Sequence, residues 1–213
     1  GSKFVLKFLL NLNQLIWRLA YENSYNYYGK QFPNITYGIS EKLLKDFIPP
    51  NANVVDIGCG TGRLTFMASK FSKTCLGVDY NSAAIEFANK NNNSSNIIYI
   101  CEDIINFNNN FKYDLAIIAG VLEHLDSDEK YLLNLHNIAS RLIIEVPDIN
   151  ADPLNTVRFN LSTRIYSDDD HVREYSYDSL LKQLKIANWK VIYSSREGLM
   201  ITLVVDKKNI ELL

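Results

Sequence analysis

At 213 residues, with hydrophobic side chains making up 47% of the chain, the sequence holds enough apolar material for one full α/β core with elaborations. Twenty-two basic residues against 24 acidic ones give a net charge of −2, without the basic excess that marks a nucleic-acid binder. Three cysteines, Cys59, Cys75 and Cys101, lie in or beside apolar runs and read as small core residues of a reduced, cytoplasmic protein rather than a disulfide framework.

The leading Gly-Ser reads as an expression remnant. Residues 3–20 are apolar except at Lys3, Lys7, Asn11, Gln14 and Arg18, with Asn13 as an outlier. Steps of four, four, three and four place those polar positions on one stripe of a helix. A transmembrane span needs about 20 uninterrupted apolar residues, and no signal-peptide cleavage site follows this run. The helix is therefore expected to pack on the domain or, in a homodimer, on a second copy; docking on a membrane surface is the alternative. The segment after it is rich in aromatics: Tyr21, Tyr25, Tyr27, Tyr28, Phe32 and Tyr37. A tyrosine joins an apolar face to a polar tip, which suits either a packed layer or a lid.

Ile39, Leu43, Leu44, Phe47 and Ile48 recur at helical spacing, and Pro49-Pro50 stops that helix. Val54-Val55-Asp56-Ile57 is a buried strand, followed by the turn Gly58-Cys59-Gly60-Thr61-Gly62 and a helix over 62–71. Glycines here let a ligand lie against bare main chain. The spacing is wrong for a dinucleotide fingerprint, since Arg63 stands where its third glycine would be, and no Gly-Lys-Ser/Thr ending makes a P-loop.

Thr74–Asp79 is the second strand and 83–90 a helix; Asp79 could also cap the helical segment from Asn81. Ile97–Cys101 is the third strand, followed by Glu102-Asp103, and Tyr113–Ala119 is the fourth, apolar but for Asp114 as in a sheet covered on both faces. The asparagine runs at 91–93 and 108–110 fall between elements and read as loops. Leu132, Leu133, Leu135, Ile138 and Ala139 outline a helix, and Leu142–Pro147 is the fifth strand. Residues 149–173 show no clean periodicity and are expected to be a long polar loop, of the kind that is usually functional or disordered. A helix over 177–188 and strands near 190–195 and 199–206, joined at Glu197-Gly198, close the chain.

The turn from Val54 to Phe66 resembles the first motif of class I S-adenosylmethionine (SAM) methyltransferases, usually (V/L)LD(I/V)GCGTG. The likeness continues through Gly120-Val121-Leu122-Glu123-His124-Leu125, Pro147-Asp148 and Asp170-His171-Val172-Arg173-Glu174-Tyr175, out to about residue 205. It implies an α/β, Rossmann-like sheet of seven mostly parallel strands in the order 3-2-1-4-5-7-6, the last antiparallel, with helices on both faces. It implies a lid or N-terminal helical segment over 1–38 and a methyltransferase domain over 39–213, with an acceptor cover inserted at about 149–173.

The resemblance implies SAM as cofactor, S-adenosylhomocysteine as product, and a cofactor site of Asp56, Gly58, Cys59, Gly60, Asp79, Tyr80, Asp103, Ile104 and Val121. Asp79 would accept from the ribose diol. Asp103, with the backbone of Ile104, would hold the adenine; Glu102 is the fallback.

Three histidines are present. His136 falls in a predicted helix and reads as surface or packing. His124 follows the fourth strand and His171 closes the presumed cover. Either could take a hydroxyl proton, or serve only to hold its loop; position favours His124. Arg173 would anchor the cover or hold an acceptor phosphate or carboxylate. Ubiquinone-pathway O-methyltransferases resemble this chain at Glu123-His124 but carry a further acid where it has Gly120, so no metal is expected.

An Asn/Asp-Pro-Pro-aromatic motif and a Pro-Cys pair, which base methylation would need, are both lacking. The pattern resembles the branch that modifies small molecules, many of whose members act on nucleotide-linked sugars in surface-polysaccharide (capsule) pathways. The expected activity is O-methylation of such a sugar. The alternatives are methylation of nitrogen, carbon or oxygen on a quinone precursor or lipid, and a SAM-binding subunit without turnover.

Overall fold

The structure is a computed structural model. It describes residues 1–28, 38–105, 107, 111–163, 165 and 170–208, and at 21, 22, 25, 26 and 28 the backbone alone. In chain order the elements are α1 (Ser2–Tyr28), α2 (Glu41–Phe47), β1 (Asn53–Ile57), α3 (Arg63–Ser69), β2 (Thr74–Asp79), α4 (Ser82–Asn91) and β3 (Ile97–Cys101). Then come β4 (Tyr113–Ala119), α5 (Asp128–Asn134), β5 (Ala139–Pro147), α6 (Pro153–Asn160), α7 (Tyr177–Ile186), β6 (Trp189–Glu197) and β7 (Met200–Lys207).

The strands form one sheet in the order β3-β2-β1-β4-β5-β7-β6. β1 to β5 run parallel, and β7 is antiparallel to both of its neighbours. Side chains alternate across a strand, so β4 feeds two cores. Ala116 and Ile118 join Val55, Ile57, Leu142 and Ile144 beneath Leu180 and Leu184 of α7. Leu115 and Ile117 join Val54, Ile143 and Val204 with Leu43 and Leu44 of α2, Ala68 of α3 and Ala88 of α4. The expected fold and strand order are those observed.

Two paired carboxylates fix the β5–β7 half. Arg141 makes a bidentate pair with Asp206 at 2.6 and 2.9 Å. Buried Glu145 accepts from the Gly38 and Ile39 amides at 2.7 and 2.9 Å and from the Thr202 hydroxyl at 3.0 Å, which ties the entry of the domain to the middle of the sheet.

Three expectations are corrected. Residues 149–173 are not a plain loop: they contain α6, started by the Asp152 side chain accepting from the Leu154 amide and by Pro153 in the first turn. Its buried residues are Asn155 and Arg158, while Leu154 and Phe159 face solvent, so apolar periodicity carries no sign of it. The helix outlined by Leu132 to Ala139 ends at Asn134 and tightens into a 3-10 turn over Leu135–Asn137, and Ala139 already belongs to β5.

The first helix runs on to Tyr28. Lys7, Asn11, Gln14 and Arg18 line a cavity with Ser162 and Thr163, and Asn13 accepts from Arg158 at 2.7 Å. The polar stripe therefore faces the domain, while Phe4, Phe8, Leu9 and Ile16 are exposed. Among the described residues no helix is long and apolar enough to cross a membrane. Of the expected lid aromatics, Phe32 and Tyr37 and the side chains of Tyr21, Tyr25 and Tyr28 lie outside the described residues.

Candidate active site

The carboxyl ends of the central parallel strands open into a cleft of about 470 Å³, lined by Gly58, Asp79, Tyr80, Asp103, Ile104, Ile105, Gly120, Val121, His124, Leu125 and Asp170. Ligands of open α/β sheets bind at this place, where the strand order reverses. The turn after β1 is held from two sides. The Gly58 and Cys59 amides donate to the Val78 carbonyl at 2.8 and 3.0 Å, and the Gly60 amide donates to Asp79 Oδ2 at 2.8 Å. Asp79 Oδ1 accepts from the Asn81 amide at 2.8 Å. Each carboxylate oxygen thus carries one backbone bond and keeps acceptor capacity for a ligand hydroxyl.

Gly58 sits at φ +76°, and a Cβ there would overlap the Val121 side chain. A Cβ at Gly60 would meet nothing, so that main chain is open to a ligand. Beneath the turn lies Tyr99. Its hydroxyl donates to the Asn92 carbonyl at 2.6 Å and reaches the Gly62 carbonyl at 3.2 Å, and its ring occupies the space that a Cβ on Gly62 or Gly77 would need.

Six of the nine expected cofactor residues line the cleft: Gly58, Asp79, Tyr80, Asp103, Ile104 and Val121. Cys59 and Gly60 shape the turn. The Asp56 side chain does not reach the cleft: it is 2% exposed and accepts from the Thr65 hydroxyl at 2.5 Å, joining β1 to α3. Burial pushes its carboxyl up to about 6.

The opposite wall comes from residues 121–128 and 170–175. The Val172 amide donates to the Glu123 carbonyl at 2.9 Å. Arg173 pairs with Asp128 and donates to the Asp126 carbonyl at 2.7 Å, and the Tyr175 hydroxyl donates to Asp128 Oδ2 at 2.6 Å. Of the two roles weighed for Arg173, the contacts are those of an anchor.

The two candidate histidines are far apart in sequence but meet here. Their ring centroids lie 4.8 Å apart at 85°. Nδ1 of His124 is 3.3 Å from the Asp170 carbonyl, and Nδ1 of His171 is 3.3 Å from Glu174 Oε1. His124 lines the cleft, whereas His171 lines a neighbouring cavity with Phe159 and Arg173. A further pocket of about 360 Å³ continues the cleft past His124, with Asp126, Ser127, Lys130, Tyr131 and Asn134 around it. Those five residues carry no local pattern that marks them in the sequence, whereas Glu123 and Glu174, beside the histidines, lie in segments that the resemblance covers. His136 packs flat on Trp189, 4.2 Å between centroids, as a packing residue.

Residues 48–190 match the methyltransferase domain family. The chain belongs to the class I SAM methyltransferases. It is 32% identical over 105 residues to nodulation protein S of Azorhizobium caulinodans, covering 49% of this chain and 51% of that protein. It is 27% identical over 121 residues to the malonyl-[acyl-carrier protein] O-methyltransferase of Priestia megaterium, covering 54% and 44%. The chain thus spans about half the length of the curated relatives it matches. The fold is shared with the N-methyltransferase NodS of Bradyrhizobium japonicum, solved with S-adenosylhomocysteine: TM-score 0.62, 16% identity, 79% of this chain and 84% of that one.

The cofactor of this methyltransferase family is SAM, and the cleft suits it. The main chain is open at Gly60, and two acids, Asp79 and Asp103, line one wall past the ends of adjacent strands.

Proposed function

We propose that this methyltransferase transfers the methyl group of SAM to a hydroxyl of a small polar acceptor, a nucleotide-linked sugar. Asp79 would hold the ribose diol, Asp103 with the Ile104 backbone the adenine, and the turn at Gly58–Gly60 the remainder. When bound, SAM supplies a methyl group activated by a sulfonium. The domain's task is then to place the acceptor oxygen in line with that methyl, and such positioning supplies roughly 7–11 kcal/mol of a displacement barrier.

The observation that carries the acceptor reading is the pocket beyond His124. Its Asp126, Ser127, Lys130 and Asn134 offer donors and acceptors suited to a hydroxylated ligand, and Lys130 offers a cation for a phosphate. His124 stands between this pocket and the cofactor cleft. In this reading the hydroxyl proton passes to His124 as the oxygen–methyl bond forms, which accelerates transfer by about a hundredfold or more. His171 is a positioning residue for the His124 ring. The N-terminal segment, residues 1–38, would cover the acceptor.

The test is incubation with SAM and a panel of nucleotide sugars, read as mass gain of one methyl group. His124→Asn should lower turnover about a hundredfold and leave SAM affinity nearly unchanged; a parental rate removes His124 from the chemistry. A second reading is transfer to nitrogen, the activity of the structurally similar NodS. An amine acceptor that gains the methyl while every hydroxyl acceptor fails would establish it.

A further inference from the structure

The Glu123 side chain is 2% exposed, and its Oε2 has no hydrogen-bond partner among the described residues. A buried carboxylate left in this way costs several kcal/mol unless a cation or proton meets it. Two imidazoles stand beside it. One ligand atom each from Glu123, His124 and His171 lies within 4.8 Å of the others. We propose that Glu123, His124 and His171 together bind a divalent transition-metal ion of the Zn²⁺, Co²⁺ or Mn²⁺ class.

Three arguments converge on this choice. Two imidazole nitrogens and one carboxylate oxygen suit borderline ions and are a poor match for Mg²⁺ or Ca²⁺, which take oxygen ligands. Metal–ligand bonds of about 2.0–2.2 Å put donors at most roughly 4.4 Å apart, so a small side-chain rotation closes the observed spread. Metal-bound imidazoles typically give their other nitrogen to a carboxylate or carbonyl. Each ring here has such a neighbour at 3.3 Å: Glu174 for His171 and the Asp170 carbonyl for His124. The chain segments are also locked together, because the Val172 amide bonds the Glu123 carbonyl.

Three protein ligands leave coordination positions open, as at catalytic metal sites, and His124 places them beside the cleft. An acceptor hydroxyl bound there would lose its proton more readily. That use rests on the hydroxyl reading above; the binding of the ion does not. With the ion in place His124 is a ligand, and the acidity of the hydroxyl comes from the ion.

The experiment adds Zn²⁺, Mn²⁺ or Co²⁺ to chelator-treated full-length protein and reads two signals that need no acceptor. Thermal unfolding should move up by roughly 5–10 °C at saturating metal, and Co²⁺ should give visible d–d absorption without thiolate charge transfer. Glu123→Gln and His171→Gln should each lose both signals. An unchanged melting temperature with all three ions overturns the site. So do signals that survive in both variants, or thiolate bands that point to Cys101. Because no methyl transfer is measured, failure of the sugar assay is a separate result.

Discussion

The two walls of the cleft are made of different material. Below β1 to β3 the wall is main chain and two short acids, set by strand ends and one turn, with Tyr99 as its floor. Opposite, it is long side chains, drawn from residues some 45 positions apart and locked by Arg173–Asp128 and Tyr175–Asp128. A backbone wall holds one shape and fits a cofactor common to a family. A side-chain wall changes with each substitution and fits an acceptor that differs between relatives.

That contrast can be broken at either wall. The largest effect is expected from Gly58→Val, where a side chain must take φ +76° and overlap Val121. SAM affinity should fall by about a hundredfold or more in calorimetry, while the Arg173–Asp128 and Tyr175–Asp128 contacts of the opposite wall remain.

Next comes Asp56→Asn. The folded state holds the Asp56 proton more firmly than the unfolded chain does. Its stabilising contribution is therefore complete below the ordinary value of 3.8 and is lost as pH climbs through about 6. The amide keeps an acceptor for Thr65 and buries no charge. Chemical denaturation should show the variant roughly 1–3 kcal/mol more stable than the parent at pH 7.5, and little different at pH 4. An equal gain at both pH values would refute the buried-charge account.

Asp79→Ala removes two backbone contacts and the ribose acceptor, and should weaken SAM binding about tenfold or more. The smallest effect belongs to the far wall. Tyr175→Phe loses the bond to Asp128 and should cost about 1 kcal/mol of stability, lowering turnover with SAM affinity unchanged. If instead affinity falls with turnover, the walls are coupled and the division fails.

The same contrast explains what could be read in advance. The wall below β1 to β3 is local: a β-branched run, a glycine turn and acids at strand ends all sit within short stretches, so the resemblance carries over to Asp79 and Asp103 position by position, and the structure puts Asp103 rather than Glu102 in the cleft lining. The Asp56 side chain points away from the cleft to Thr65 in the first turn of α3, an orientation that strand periodicity alone does not fix. The far wall depends on distant pairing. Glu123 falls inside a matched segment, but its burial beside two imidazoles appears only once the chain returns with His171 and half-buried Glu174. Helix α6 leaves no apolar period for a related reason: it buries Asn155 and Arg158, the latter bonded to Asn13 of α1, so its polar residues, not its apolar ones, face inward.

The ring of Tyr99 fills the room that a methyl group on Gly62 or Gly77 would claim. These three positions therefore form a matched set across two strands and a turn. Evolution can exchange them only in concert: a bulkier residue at 77 becomes tolerable once the ring at 99 has shrunk, and a shrunken ring leaves the glycine turn without its support. Drift in β3 is in this way held to the shape of the glycine turn above it.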